Sequence, residues 1–243
     1  MSSPLVAALI ALILWWVSTG VILVAVRLAD KREGDTGRRL TLWTLPLLGL
    51  GAWGYLASLQ MGTTYGAYLG FVAVLAIWGW IELAFLTGTI TGPINRPCPD
   101  GIAGWERFVR AWGTVAYHEM LLTAALIFVA LTGWGAENVF GLWSFVILYF
   151  ARISAKLNLF MGVPHINTAF LPRHLSHLGS HFRHARMNAL FPVSVTALTF
   201  ALGGWLERLW SATSPADHTG FALLAALTAL ALIAAAIGAW LAS

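Results

Sequence analysis

Five of the seven histidines fall in one polar stretch, Asn158 to Arg186, NLFMGVPHINTAFLPRHLSHLGSHFRHAR. After His165, four of them (His174, His177, His181 and His184) recur at steps of three, four and three. At about 100° per residue of α-helix they fall within an arc of about 80°, so a helix here predicts one wall of imidazoles. Two carboxylates sit in apolar surroundings elsewhere: Glu82 in AIWGWIELAFL, and Glu119, next to His118, in TVAYHEMLL. Neutral imidazole and carboxylate are the usual ligands of iron, manganese and zinc. Two Glu with several His in a helical bundle form the residue kit of a carboxylate-bridged two-metal site. The candidate metal ligands are therefore Glu82, His118, Glu119, His165, His174, His177, His181 and His184, for two iron or other divalent ions. The pair His177 and His181, about one turn apart, is best placed to share an ion. His174 could serve a second ion, and His184 lies nearest the solvated end. Ligation of a pigment or a haem by an imidazole is another use of the same residues.

Plainer readings use the same side chains. The histidine stretch could be an interfacial face, with Arg173, Arg183 and Arg186 on lipid phosphates. Glu82 could pair with a buried Arg152 or Lys156. His118 and Glu119 are sequence neighbours that point about 100° apart on a helix, so both are not expected to face the same way. The chain lacks a second Glu-x-x-His pair and the full histidine boxes of membrane hydroxylases. Cys98, the only cysteine, excludes an internal disulfide and a Cys-rich metal site.

The elements that must position these residues are membrane helices. The 243 residues are 59% hydrophobic and only 10% charged, with a mean hydropathy of +0.78. That is a polytopic membrane protein, and the lipid bilayer is its first partner. Seven apolar spans are expected, near 4–26, 40–60, 66–91, 111–133, 139–160, 188–206 and 219–242. The first lacks a charged leader and reads as a retained helix rather than a signal peptide. The fold expected is all-α, one integral membrane domain over 1–243 with a polar, His-rich segment at 158–186.

Thirteen of the fourteen Lys and Arg fall in alternate joints, leaving only Arg208 opposite. By the positive-inside rule those joints are cytoplasmic, the N-terminus is periplasmic and the C-terminus cytoplasmic. Glu82, about nine residues before the end of its span, and His118 and Glu119, about eight after the start of theirs, would lie roughly 12–14 Å deep on that side. Arg152, Lys156 and the histidine stretch converge there too. Ionisable groups inside a span are functional hypotheses by default. The net charge of +4 sets topology and is no nucleic-acid signature. No phosphate-binding loop, dinucleotide fingerprint or nucleophile elbow is present, and no matched halves with broken helices suggest a secondary transporter.

The run HEMLLTAALIFVALTGWGAENVFGLWSFVILYFARISAKLNLFMGVPHINTAFLPRHLSHLGSHFR, and within it NLFMGVPHIN and LPRHLSHLGSHF, resembles the photosynthetic complex assembly protein 2 family (PuhE) of phototrophic bacteria. The resemblance spans most of the chain. It implies a bacterial inner-membrane protein that supports assembly of the reaction centre and light-harvesting complex and influences bacteriochlorophyll production. Its partners would be photosynthetic complex subunits or pigment-synthesis proteins. It brings no catalytic residues with it. Two functions from different classes follow: an assembly factor without turnover, or a membrane metalloenzyme oxidising a lipophilic pigment precursor. A carrier of bacteriochlorophyll or haem is the third.

Overall fold

The computed structural model describes residues 3–32, 34–164, 166, 168 and 171–240, with 238–240 described by backbone alone. Among the described residues nine α-helices follow one another: α1 Pro4–Asp30, α2 Thr36–Trp43, α3 Leu45–Ser58, α4 Thr64–Leu86, α5 Gly104–Gly113, α6 Ala116–Gly133, α7 Phe140–Met161, α8 Leu190–Ser211 and α9 Pro215–Trp240. A 3₁₀ helix, Arg173–His181, lies between α7 and α8. Among the described residues there is no strand, only one isolated bridge between Val163 and His184. Among the described residues seven helices are long and apolar enough to cross a membrane, with α2 and α3 together making one, Thr36–Ser58. The protein is an all-helical, multi-pass membrane protein.

The second span is broken where Pro46, in the first turn of α3, cannot donate a backbone hydrogen bond. The hydroxyl of Thr44 donates instead to the carbonyls of Leu40 (2.9 Å) and Thr41 (3.1 Å). The indole N–H of Trp80 on α4 also reaches the Thr41 carbonyl, at 3.2 Å.

α4 is the axis of the bundle. It is the most buried span and touches α1, α2, α3, α6, α7 and α9. Small residues allow these approaches, since helices without water between them associate by close packing. A Cβ on Gly51 of α3 would lie 2.9 Å from the Ala73 carbonyl of α4, and one on Gly141 of α7 would lie 3.0 Å from the Gly70 carbonyl. Phe71, Val74 and Ile81 of α4, Leu122 of α6, Phe145 of α7 and Leu223, Leu224 and Leu227 of α9 fill the core. α8 buries none of its residues and lies outermost.

Two span boundaries differ from those expected. α4 stops at Leu86 rather than near residue 91. Gly88, at φ +74°, ends it, with the Gly88 N–H on the Phe85 carbonyl (2.9 Å) and the Thr89 N–H on the Ala84 carbonyl (3.0 Å), the pairing of a Schellman cap. The fourth span begins at Ala116 rather than near 111. The loop after α4 folds back, and the Ile94 N–H donates to the Gly113 carbonyl (3.1 Å) and the His118 N–H to the Thr91 carbonyl (3.0 Å). This tertiary pairing separates the amphipathic α5 from α6. The result corrects the depth estimate. Glu82 lies four residues from the end of α4, about 6 Å, and His118 and Glu119 lie in the first turn of α6.

The joints rich in Lys and Arg gather at one end of the bundle. Arg173 and His174 reach Asp30 at the end of α1, at 4.0 and 3.7 Å. The Cys98 N–H donates to the Ser180 hydroxyl at 2.9 Å, and Arg107 of α5 donates to the His181 carbonyl at 2.6 Å.

Candidate functional site

α4, α6 and α7 meet near that end and bring five ionisable side chains together. Arg152 and Lys156 are one turn apart on α7 and so share a face. Arg152 Nε lies 2.7 Å from Glu82 Oε1, an ion pair out of line for a hydrogen bond. Lys156 Nζ contacts Glu119 Oε1 directly. His118, fully buried, stands between the carboxylates, with Nε2 3.7 Å from Glu82 Oε1 and Nδ1 3.3 Å from Glu119 Oε1. Lys156 Nζ is 3.4 Å from the same Nδ1. Phe85 packs beneath, its ring 4.5 Å from the imidazole and 5.6 Å from each of the two cations.

Glu82 and Glu119 therefore both face the interior and meet basic partners, as intramembrane carboxylates must. The expectation that His118 and Glu119 cannot face one site is overturned. Their Cα–Cβ directions diverge, but the Glu side chain is long enough to swing back, and Lys156 holds it there. Four buried atoms of the cluster have no hydrogen-bond partner: Glu82 Oε1 and Arg152 Nε, which face each other only as an ion pair, and His118 Nε2 and Glu119 Oε2.

A cavity of about 750 Å³ opens beside the cluster. Glu119, Arg152 and Lys156 form its polar floor, Phe108 and Trp112 of α5 roof it, and Leu178, His181 and Phe182 close one side. A second cavity, about 620 Å³, lies across α7 among α1, α8 and α9, and Arg152 and Lys156 line it too.

The histidine wall does not form as expected. Residues 173–181 are a 3₁₀ helix, not an α-helix, and its three-residue period buries Leu175, Leu178 and His181 on one stripe. His174 and His177 occupy the neighbouring stripe, where His177 is half-buried with its ring Nε2 out of solvent and without a partner. His174 is exposed beside Asp30, and the His177 ring Nδ1 lies 3.1 Å from its own segment's His174 carbonyl. His184 is beyond the helix, exposed, in the bridge to Val163. His165 lies outside the described residues. Of the eight candidate ligands, the structure gathers Glu82, His118 and Glu119, with His181 across the cavity. His174, His177 and His184 stand apart from them.

Among the described residues, no group of three or more His, Cys, Asp or Glu is set to hold a metal ion. The physical reason lies in the cluster itself: the positions facing the carboxylates are taken by Arg152 and Lys156. As placed, these residues do not fit a two-metal centre. Burial holds the His181 imidazole below its ordinary pKa of 6.5, and Arg107 and Arg110 act in the same direction.

Sequence reasoning named Arg152 and Lys156 as alternative partners for Glu82 and missed Phe85, Arg107 and Asn188. Asn188 donates to the carbonyls of Asn158 (3.1 Å) and Gly162 (2.8 Å), which ends α7, and accepts from the Leu190 N–H (2.9 Å), which starts α8. An Asn just before an apolar run is a helix-start signal, so this residue was within reach.

Fold and site define a multi-pass helical membrane protein with an ion-paired cluster at the floor of an apolar cavity. The chain belongs to the family described as "Protein of unknown function (DUF3623)", whose pattern matches residues 1–237. It is 50% identical over 236 residues to a Rhodobacter capsulatus protein described as "Uncharacterized 30.4 kDa protein in puhA 5'region", covering 96% of this chain and 85% of that one. No solved structure matches the chain.

Proposed function

We propose that the protein supports assembly of the bacterial photosynthetic reaction centre and light-harvesting complex, and the supply of bacteriochlorophyll, without turnover of its own. The observation that carries this is the relative whose description sets it in the 5′ region of puhA. The motifs NLFMGVPHIN and LPRHLSHLGSHF support the same reading. The site geometry is consistent with it, because each carboxylate is compensated by a cation of the chain, which suits a structural or binding role better than an open metal centre. In this reading the protein sits in the inner membrane, with its basic end in the cytoplasm, and its partners are photosynthetic complex subunits or pigment-synthesis proteins.

Deleting the gene in a phototrophic host should lower the near-infrared absorption of reaction centres and light-harvesting complexes, and a plasmid copy should restore it. Unchanged accumulation of both complexes under phototrophic growth would rule the proposal out.

One observation favours a metal-dependent oxidoreductase acting on a lipophilic pigment precursor instead. Glu82, His118 and Glu119 are adjacent, and His118 Nε2 and Glu119 Oε2 have no hydrogen-bond partner. Elemental analysis of purified protein decides it: about two iron or other divalent ions per chain are expected for a carboxylate-bridged site, and none for the assembly role.

A further inference from the structure

The cluster at the cavity floor has an unusual balance. Glu119, Arg152 and Lys156 line the cavity, and Glu82 behind them completes two carboxylates facing two cations. A ligand bringing a further charge would bury it uncompensated, so the floor selects a neutral head. The floor is nevertheless not inert. Glu119 is nine-tenths buried, lines the cavity and keeps Oε2 without a partner. Rotation about the last bond of a Glu side chain is broad, so Oε2 can turn to the cavity. Lys156 also lines the cavity, and an ammonium has three N–H donors, of which the neighbouring Glu119 and His118 account for two. One acceptor and one donor side by side match a hydroxyl, which gives one hydrogen bond and takes another.

The rest of the cavity is mostly apolar; of its polar lining residues, Thr123 and Tyr149 pair with each other at 3.0 Å and His181 stands on the opposite side. Its volume, about 750 Å³, falls within the range of roughly 300–1,000 Å³ typical of small-molecule sites. Its outer rim is on α6, where Met120 and Ile127 line the cavity and are exposed. α6 is a membrane span, so that rim faces lipid and the route in is lateral, from the bilayer.

We propose that this cavity binds a neutral lipid alcohol, a long apolar chain with a hydroxyl head that donates to Glu119 and accepts from Lys156. The inference rests on the cavity as the working site of the assembly role, but binding and assembly are read separately. The test uses full-length protein in phosphatidylcholine nanodiscs, with brominated stearyl alcohol, brominated stearate and brominated octadecane as probes. Bromine quenches tryptophan on contact, Trp112 lines the cavity, and a Trp112→Phe variant isolates its share of the signal.

The alcohol should quench Trp112 saturably, while the acid and the alkane show only the linear quenching of free partition. Glu119→Gln should weaken the alcohol about tenfold, the loss of one hydrogen bond to a charged acceptor. Ala124→Phe, at an exposed position lining the cavity, should abolish saturable quenching whether or not Glu119→Gln folds. Equal quenching by all three probes, or tighter binding of stearate than of the alcohol, overturns the proposal. Binding as proposed together with normal photosynthetic complexes in a deletion strain would sink the assembly reading and leave this site standing.

Discussion

Single residues decide the character of the site. Arg152 and Lys156 turn two costly carboxylates into a neutral cluster, and breaking a buried pair strands the other charge. Arg152→Met should therefore lower stability by roughly 2 kcal/mol, below the 3–5 kcal/mol of a fully buried pair because Arg152 is partly exposed. The double variant Glu82→Met, Arg152→Met should recover most of that loss, because no unpaired charge remains. Thermal melts in detergent compare the three proteins, and a double variant no better than the single would show that the pair carries no coupling. His181 gives a pH prediction. Its folded pKa lies below 6.5 because of burial, so between those values the unfolded segment binds more protons than the folded one. Stability of the docked 3₁₀ helix is then full above about pH 6.5 and falls on acidification through that window. The protection of residues 173–181 against hydrogen exchange, taken relative to the intrinsic base-catalysed rate at each pH, should fall as the pH drops, and His181→Leu should remove the dependence.

At the scale of elements, the site depends on how closely α4 and α7 approach. Gly70 and Gly141 set that distance. Gly141→Val would drive a side chain into the Gly70 carbonyl and the Tyr55 ring and should cost about 1–3 kcal/mol as overpacking. The same shift would part Arg152 from Glu82, so cavity binding should weaken along with the melting temperature. A variant that melts as the parent does and binds normally would show that the contact is not limiting. The 3₁₀ helix shows how much a period matters. An α-helix over 173–184 would have set four imidazoles in one wall, whereas three residues per turn put Leu175, Leu178 and His181 inward and the other histidines elsewhere.

For the whole molecule, the sharpest expectation is topology. The Lys- and Arg-rich joints lie together at one end, and seven crossings would put the termini on opposite faces. A reporter after Ser243 should be active as a cytoplasmic tag and one at Met1 as a periplasmic tag. Both tags reporting the same compartment would contradict the seven-span count.

The sequence by itself determined the membrane class, the number of spans and the residues that cannot face lipid. Apolar runs of bilayer length and charges scarce enough to be counted are properties of the chain before it folds. For that reason Glu82, His118, Glu119, Arg152 and Lys156 could be picked out without coordinates. Which of them meet was decided only by tertiary structure. The end of α4 at the Gly88 cap is local, but the break between α5 and α6 at Gly113 and the docking of residues 173–181 involve contacts between segments far apart in the chain. Ile94 on Gly113, Cys98 on Ser180 and Arg107 on His181 are such contacts. Periodicity reports a helix only where local winding is free to follow it. Here long-range hydrogen bonds dock the 3₁₀ segment, and its winding sets which histidine faces the cavity.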